Sequence, residues 1–189
     1  MARRREFDEA TVVAQAMDLF WLRGYRSATP QALTEVTGLS KSSLYATFGS
    51  KQGLFLASLQ HYIDGQVQLM GAVLAEGRLR HGLERMYDAL LGIGTTGRTC
   101  LVCTSTIEGP LEDAAVAEVV RRGHGALEQV LFERIVRAQA EGDVDASRDP
   151  RHLARFVLTN NMGLMVLARA NPDPAALRGV VAEIVRAVC

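Results

Sequence analysis

The sequence predicts an all-α protein, and three observations support this prediction. Apolar residues recur with the period of an α-helix along nearly the whole chain, and the period-two alternation that marks strands is missing. Glycines and capped prolines interrupt the helical periodicity at regular intervals. The 189 residues are 48% hydrophobic, which is ample for a packed core. We expect an N-terminal three-helix domain over residues 1–50 and a larger helical domain over residues 51–189.

The first two helices are predicted from their ends. The first is expected from about Asp8 to Arg23, with Gly24 as its left-handed stop. The pair Thr29-Pro30 supplies an N-cap and a first-turn proline for the second helix, because Thr accepts a bond from a free backbone N–H and Pro lacks one. Gly38 ends this second helix.

The next helices are predicted in the same way. Ser40 caps a short third helix that reaches about Thr47, and Ser50 caps a long fourth helix that begins at Lys51 and continues past Leu69. Five further helices fit between later breaks. These breaks are near Gly77, Gly94 to Gly97, Gly109-Pro110, Gly142-Asp143, Asp149-Pro150 and Asp173-Pro174.

Charge and hydropathy narrow the class of protein. The net charge is zero, but residues 1–60 hold seven Lys/Arg against five Asp/Glu, so the N-terminal third is mildly basic. The chain has no apolar run long enough to span a bilayer, and the N-terminus becomes charged at once, which predicts a cytoplasmic protein without a membrane partner. Three cysteines are too few for a secreted disulfide framework, so reduced thiols are expected.

Residues 24–55 contain the pattern of a helix-turn-helix. Two short helices are joined by the turn Gly38-Leu39-Ser40, which supplies a positive φ, an apolar plug and a cap for the third helix. Leu44 and Phe48 hold that helix inward, and its outward residues are small or hydroxylated. A face without bulky charged pairs suits close approach to another surface, whereas a tight corner in a helical bundle is the alternative.

The same segment resembles the TetR family of transcriptional regulators. The matching residues are Gly24-Tyr25, Thr29, Gly38-Leu39-Ser40, Leu44-Tyr45, Phe48 and Ser50-Lys51. The resemblance covers roughly residues 8–60, and Pro30, Thr34, Thr37, Gln52 and Gly53 depart from it. It implies a homodimer that binds double-stranded operator DNA and is released by a small-molecule effector. Repression is the family's usual mode of action.

The resemblance and the chemistry of the side chains predict which residues contact DNA. Lys41 and Lys51 are the only lysines, and both lie in this segment. Gln31 is the most informative candidate for base reading, because glutamine can pair bidentately with adenine. The expected contacts are Thr29, Gln31, Ser40, Lys41, Ser42, Ser43, Tyr45, Ala46, Thr47 and Lys51. Arg3, Arg4 and Arg5 suggest either a flexible arm for phosphates or a solubilising tail.

The C-terminal domain is expected to hold a mostly apolar pocket and the dimer interface. Candidate pocket residues are Tyr62, Met70, Met86, Leu90, Cys100, Cys103, Thr104, Glu108, Phe132, Met162 and Met165, although each is also a plausible core residue. Glu108 is either a buried acid of this pocket or a solvent-facing one. Helices eight and nine are expected to dimerise through Leu153, Val157, Asn160, Leu164, Leu167, Leu177, Val181 and Ile184, with ordinary core packing as the alternative.

Cys100 and Cys103 leave several interpretations open. We favour two small thiols that line the core or the pocket. A helix that begins near Thr99 would place Cys100 in its first turn, where free amides lower a thiol pKa, so a reactive sensor thiol with Cys103 as partner is an alternative. Zinc would need two more ligands, which His61, His81, His124 and His152 do not supply by spacing, so we expect no metal and no cofactor. A thiol oxidoreductase is the rival from another class, but its usual βαβ context is missing, and we expect no enzyme.

Overall fold

The computed structural model describes residues 7–94 and 98–189. These residues form helices and no strand, which confirms the all-α prediction. The helices are α1 (Glu9–Ser27), α2 (Pro30–Thr37), α3 (Lys41–Phe48), α4 (Lys51–Ala75), α5 (Leu79–Gly94), α6 (Leu101–Glu108), α7 (Ala114–Ala140), α8 (Pro150–Ala170) and α9 (Pro174–Val188). None of these described helices is long and apolar enough to cross a membrane. The expected arm at Arg3, Arg4 and Arg5, and residues 95–97 of one expected break, lie outside the described residues.

The caps of α2, α3 and α4 lie where the sequence predicts them. The side-chain oxygens of Thr29, Ser40 and Ser50 each accept a hydrogen bond from the backbone N–H three residues further on, at 3.2, 3.1 and 3.0 Å. Each bond satisfies one of the amides that a helix start leaves free. Gly38 ends α2 at φ 66° and ψ 7°, so the left-handed turn before α3 is confirmed.

The predicted end of α1 is only partly correct. Gly24 has a positive φ of 74°, as a glycine stop would, but its ψ is 165° and the chain resumes helical turns as far as Ser27. The N–H of Ala28 bonds the carbonyl of Gly24 at 3.3 Å and closes this extra turn. The glycine therefore kinks the helix rather than ending it, and the kink is followed directly by the ring of Tyr25.

Two hydrophobic clusters lie along the chain, and α4 contributes to both. The first is formed by α1, α2, α3, the start of α4, α6 and the start of α7, and includes Leu54 and Leu59 of α4. The second is formed by the end of α4 with α5, the rest of α7, α8 and α9, and includes Leu74 of α4. A displacement of α4 therefore changes the packing of both clusters. The boundary predicted after residue 50 separates α3 from α4, whereas the first cluster includes side chains from both helices.

Helix α7 is fixed against α4 at two points. A Cβ added at Gly123 would lie 2.6 Å from Cδ1 of Ile63, so a larger residue there would require the Ile63 side chain to move. Further along, Arg134 is 6% exposed, and its guanidinium donates to the carbonyls of Leu74 and Gly77, both at 2.8 Å. Leu74 lies in the last turn of α4, where backbone acceptors have no partner within the helix, and Gly77 directly follows the cap residue. A buried cation thus caps the C-terminal end of α4.

The structure corrects six of the eight residues expected to dimerise. They are Leu153, Val157, Leu164, Leu177, Val181 and Ile184, and all are buried within the single chain. Their side chains pack against α5 and α7 or between α8 and α9, so they cannot also face a second subunit. Of the other two, Leu167 is exposed and Asn160 is half-buried. The periodicity found the apolar faces correctly but did not show what covers them.

Candidate nucleic-acid interface and ligand cavity

Helix α3 presents a small, polar face to solvent. Leu44 is buried at 1% exposure and anchors the helix to the first cluster. The outward residues are Lys41, Ser42, Ala46 and Thr47, while Ser43 and Tyr45 are half-buried. Because most of these side chains are short, the backbone of α3 can come close to a groove wall. The structure therefore brings the residues predicted for α3 onto one surface.

The hydroxyl groups at the start of α3 form a local network. Ser40 Oγ lies 2.9 Å from both Ser42 Oγ and Ser43 Oγ while it caps the helix. Thr47 Oγ1 donates to the carbonyl of Ser43 at 3.1 Å. A hydroxyl rotates freely and has two acceptor lone pairs, so these groups can exchange a partner for a phosphate or base edge at little cost. Ser40 is thus a structural cap as well as a candidate contact.

Gln31 is exposed at the start of α2, but its amide already has a partner. Its Nε2 donates to Glu35 Oε1, one turn further along, at 3.0 Å. A bidentate contact to adenine uses both the carbonyl oxygen and the amide nitrogen of glutamine. Because the amide nitrogen carries two N–H donors, Gln31 can keep the bond to Glu35 with one and donate the other to a base.

Lys51 lies at the junction of α4 and the end of α1. Its Nζ is 4.5 Å from the ring centroid of Tyr25 and 3.5 Å from the carbonyl oxygen of Arg26. Partial burial lowers the pKa of the Lys51 ammonium. The aromatic face and the carbonyl hold this charge beside the amides that begin α4, a place suited to a phosphate.

The departure from the family pattern at Gly53 has a steric reason. A Cβ at this position would lie 2.0 Å from the carbonyl oxygen of Phe48, the last residue of α3. Glycine allows α3 and α4 to meet this closely, which no other residue would. The relative position of the two helices is therefore fixed next to the candidate DNA surface.

A cavity of about 100 Å³ lies among α4, α5, α7 and α8, with the start of α6 closing one end. Eight of the residues predicted for the pocket line it. They are Tyr62, Met70, Met86, Leu90, Cys100, Cys103, Met162 and Met165. The wall is mostly apolar, so it suits a ligand that buries apolar surface.

Three predicted pocket residues do not line this cavity. Glu108 is exposed and lies near Gly24, where its carboxylate would come 3.5 Å from an added Cβ. Thr104 bonds the hydroxyl of Thr99 at 2.8 Å on another face of α6. Phe132 lies under the guanidinium of Arg151, 3.8 Å from its ring centroid. Of the two alternatives for Glu108, the structure shows the solvent-facing one, because the last turn of α6 points its side chain to solvent.

The cavity also includes residues that the sequence interpretation missed. The polar ones are Gln66, His124 and Asn161. The apolar ones are Leu69, Val73, Ala89, Ile93, Leu127 and Leu158. Gln66 follows Tyr62 by four residues and precedes Met70 by four, so it lies on the face already predicted to line the pocket. A polar residue on this apolar face of α4 was the signal in the sequence that could have identified Gln66 as a pocket residue.

Cys100 and Cys103 lie together at the cavity wall. Helix α6 begins at Leu101, so Cys100 is the N-cap and precedes the first turn, contrary to the expectation of a start near Thr99. Hydrogen bonds from the Cys103 thiol, from the Tyr62 hydroxyl and from the first amides of α6 lower the pKa of Cys100 to about 7. The same partnership with Cys100, together with burial, raises the pKa of Cys103. Both thiols are reduced and half-buried.

The segment before Cys100 connects the cavity wall to α1. The indole Nε1 of Trp21 donates to the carbonyl of Thr99. Arg98 stacks on the Trp21 ring with its Cζ 4.8 Å from the centroid, and its Nη1 pairs with Asp18 Oδ1 at 3.2 Å. The Tyr62 ring packs edge-on against Trp21 at 5.0 Å. Residues at the cavity thus contact the helix-turn-helix domain directly.

Comparison with protein families gives two matches along the chain. A model described as "Bacterial regulatory proteins, tetR family" matches residues 12–58. A second, described as "Tetracyclin repressor-like, C-terminal domain", matches residues 75–184. The first match includes the helix-turn-helix, and the second includes most of the cavity residues.

Individual relatives agree with these matches. The chain is 29% identical to the HTH-type transcriptional repressor ComR of Escherichia coli (strain K12), over 88% of this chain and 82% of ComR. It is 27% identical to the HTH-type transcriptional regulator YezE of Bacillus subtilis (strain 168), over 92% of each. A cysteine mutant of the regulator CifR, solved with 26 bp double-strand operator DNA, shares 34% identity over 100% of both chains with a TM-score of 0.83. Reduced E. coli NemR shares the fold, with a TM-score of 0.85 at 18% identity over 96% of this chain and 98% of NemR.

Proposed function

Because the chain belongs to the TetR family of bacterial regulatory proteins, we propose that it is a transcriptional repressor that binds a near-palindromic operator as a homodimer and is released by a small, mostly apolar effector. The family consists of transcriptional regulators rather than enzymes, so the rival interpretation as a thiol oxidoreductase is wrong. The observation that carries the proposal is the position of Tyr62, which lines the cavity and also packs against Trp21 of the helix-turn-helix domain.

The operator-binding part rests on α2, α3 and the start of α4. Small side chains on α3 allow entry into a major groove, where base edges can be read. Lys41 and Lys51 are placed to contact phosphates, which position the protein without reading sequence. The CifR relative was solved on operator DNA, which supports the same role for this chain.

The homodimer part rests on the outward faces of α8 and α9. One recognition helix contacts few base pairs, and two-fold pairing doubles that contact on two half-sites about 34–36 Å apart. The exposed large apolar residues of α8 and α9 are Phe156, Val166, Leu167 and Val180. We assign the interface to these residues and to Asn160, whose amide donates to its own helix at Phe156 O, 2.8 Å away.

Release would act through α4 and through the residues before α6. An effector in the cavity displaces Tyr62 or Cys100, and both are connected to Trp21, directly or through Thr99. A small tilt of α4 changes the distance between the two recognition helices, and a match to two half-sites tolerates little change. The proposed mechanism therefore needs no large rearrangement.

Two measurements test this function. The first is selection of duplexes from a random pool, followed by fluorescence anisotropy at several salt concentrations. We expect a near-palindromic consensus, and the absence of any enriched sequence contradicts operator binding. The second is reciprocity: saturating operator must weaken effector binding by the factor by which effector weakens operator binding. An effector titration that operator leaves unchanged contradicts the release mechanism.

A matched pair of variants tests the dimer. Val166 on α8 and Ile107 on α6 are both exposed apolar residues, at 57% and 75%. We expect Val166→Glu to give a monomer by light scattering and to weaken operator binding at least about tenfold, because half of the contact is lost. Ile107→Glu should remain dimeric. A dimeric Val166→Glu protein would place the interface elsewhere.

A second candidate function is a thiol-based sensor of electrophiles or oxidants that uses Cys100. The observation that favours it is the lowered pKa of this cysteine at a cavity wall that contacts α1. The test is alkylation at neutral pH followed by operator binding, for wild type, Cys100→Ser and Cys103→Ser. Rapid modification that releases DNA, and that Cys100→Ser abolishes, supports the sensor. Slow labelling without release removes this candidate and leaves two thiols that only line the cavity.

A further inference from the structure

Two residues that line the cavity each have a hydrogen-bond acceptor without a partner among the described residues. The acceptors are Oδ1 of Asn161 on α8 and Nδ1 of His124 on α7. Both atoms are shielded from solvent, and both residues line the cavity. A buried polar group without a partner is rare in folded proteins, since it loses its bonds to water and gains none. Such a group at a cavity wall therefore points to a ligand that completes it.

The partners of His124 show which of its nitrogens carries the proton. Its Nε2 lies 3.1 Å from Thr106 Oγ1. The Thr106 hydroxyl donates its hydrogen to the carbonyl of Val102 at 2.8 Å, so at the His124 contact this oxygen accepts. With the threonine hydrogen on the Val102 carbonyl, Nε2 carries the ring hydrogen, and burial lowers the pKa of His124, which favours the neutral ring. Nδ1 is left as a bare acceptor.

Asn161 on α8 also leaves an acceptor unpaired. The residue is 9% exposed, and its Nδ2 lies 4.0 Å from the sulfur of Met86, which is a weak acceptor. The amide nitrogen is therefore turned toward Met86, and the carbonyl oxygen is left unpaired. Two donors of the same wall, the Tyr62 hydroxyl and the Cys103 thiol, bond Cys100 instead.

The rest of the wall fixes the charge and size of the missing ligand. No Asp, Glu, Lys or Arg is among the described residues that line the cavity, so the wall has no permanently charged group to pair with an ion. The volume of about 100 Å³ is below the roughly 150 Å³ that accommodates benzene in an engineered apolar cavity. Four methionines line the wall and can shift to fit a slightly larger shape.

We propose that the cavity binds a small, neutral and mostly apolar molecule that carries an N–H or O–H donor, and that this donor is read by Asn161 Oδ1 and His124 Nδ1. This inference deepens the proposed function and rests on it, because the cavity is the proposed effector site. It names the class of effector as a donor-bearing heteroaromatic or short alcohol rather than an acid, an amine cation or a pure hydrocarbon. A ligand without a donor leaves both acceptors unpaired, and the site discriminates against it.

Two five-membered rings of nearly equal size test this proposal with the full chain. Pyrrole carries an N–H donor, and furan carries an oxygen acceptor in its place. We expect pyrrole to bind about five- to tenfold more tightly than furan in ligand-detected NMR titrations, which corresponds to one added hydrogen bond. Equal affinity for the two rings would overturn the proposal.

Variants identify the acceptors. We expect Asn161→Leu and His124→Phe each to reduce the preference for pyrrole and the double variant to bring it within about twofold of unity. His81→Phe is the matched control, because this histidine is exposed on α5 and does not line the cavity. It should keep the wild-type preference. A preference that survives in a folded double variant, as judged by circular dichroism, also overturns the proposal.

Operator binding of the same proteins without either ring separates this inference from the proposed function. Sequence-specific DNA binding with no preference for pyrrole retains the regulator and removes the inference. A pyrrole preference that depends on Asn161 and His124, in a protein that selects no operator, retains the donor-reading site and removes the proposed function.

Discussion

The ring of Tyr62 packs edge-on against the indole of Trp21, with their centroids 5.0 Å apart and an interplanar angle of 72°. Tyr62 is a cavity residue of α4, and Trp21 belongs to α1 of the helix-turn-helix domain. Aromatic side chains keep rigid shapes, so a displaced ring moves its neighbour rather than deforming. This pair is a direct mechanical contact between the two functional parts of the chain.

Trp21→Phe should weaken the coupling between cavity and DNA surface. Phenylalanine keeps a ring beside Tyr62 but removes the N–H that bonds Thr99 O. Carbamidomethylation of Cys100 serves as a defined filling of the cavity. We expect it to weaken operator binding in the wild type and to do so about tenfold less in Trp21→Phe, within the usual range of coupling energies. Fluorescence anisotropy with labelled operator measures the loss of affinity in both proteins. Leu22→Ala, which changes an exposed neighbour of Trp21, is the control. Equal release in Trp21→Phe and wild type contradicts the pathway.

The alkylation rate of Cys100 should depend on pH in a defined way. Its pKa is lowered to about 7, so the thiolate is depleted as pH falls below that value, and the rate should rise with pH and level off above it. Tyr62→Phe removes one donor to the sulfur and should move the midpoint upward. Mass spectrometry after timed iodoacetamide pulses measures the rate at Cys100, with Cys189, whose pKa burial raises, as the internal slow site. An unchanged midpoint in Tyr62→Phe would mean that its hydroxyl does not stabilise the thiolate.

Changing Gln31 to alanine should alter sequence preference, whereas changing Lys51 to alanine should weaken affinity for all DNA. Gln31→Ala is expected to alter preference at one base position and cost roughly 1–3 kcal/mol there. Lys51→Ala should weaken binding to all duplexes alike and reduce the slope of log affinity against log salt by about one. Anisotropy with single-base operator variants at several salt concentrations measures both effects. A uniform loss for Gln31→Ala would remove its role in reading sequence.

Arg134→Met should destabilise the protein by about 2–4 kcal/mol, because the carbonyls of Leu74 and Gly77 would be left buried without donors. Arg137→Met is the matched control on the same helix. The Arg137 guanidinium is exposed and, among the described contacts, bonds only Glu141, at 2.7 Å, so no measurable loss of stability is expected. Urea denaturation of both variants gives the comparison. Equal midpoints for the two would show that Arg134 is not needed to cap α4.

Two glycines of α7 should respond in opposite directions to alanine. Gly123→Ala places a methyl group against Ile63 and should cost about 1–2 kcal/mol through overpacking. Gly125 has nothing within 4 Å of an added Cβ, so Gly125→Ala should gain about 0.5–1 kcal/mol from helix propensity. Thermal and urea unfolding distinguish them. If Gly123→Ala is also stabilised, the α4–α7 crossing is looser than the packing indicates.

Local signals in the sequence were enough to predict the starts of α2, α3 and α4. Thr29, Ser40 and Ser50 accept hydrogen bonds from amides only three residues away, and Gly38 needs only the conformational freedom of its own backbone. These features can therefore be predicted without knowledge of the tertiary structure. Gly24 was harder, since a positive φ is shared by a helix stop and by a kink, and only the packing of the following residues distinguishes them.

The cavity was predicted less completely, because its polar lining residues come from helices that are far apart in the sequence. His124 and Asn161 come from different helices, and their spacing in sequence carries no sign that they share a wall. Their lack of partners is visible only after α7 and α8 are packed. The dimer residues show the same limit: an apolar face such as that of Leu153 and Val157 has the same periodicity whether the chain itself or a second subunit covers it.

The two lysines of the chain both lie in the helix-turn-helix region, and this restricts where amine chemistry can act. Acetylation and acylating reagents attack unprotonated amines and remove their charge. On side chains, such chemistry can neutralise only Lys41 and Lys51, so it removes positive charge from the candidate DNA surface and none from the cavity. The lowered pKa of Lys51 beside Tyr25 leaves a larger fraction of its amine unprotonated and open to attack. Acylation of these amines should therefore antagonise DNA binding without changing the charge of the cavity wall.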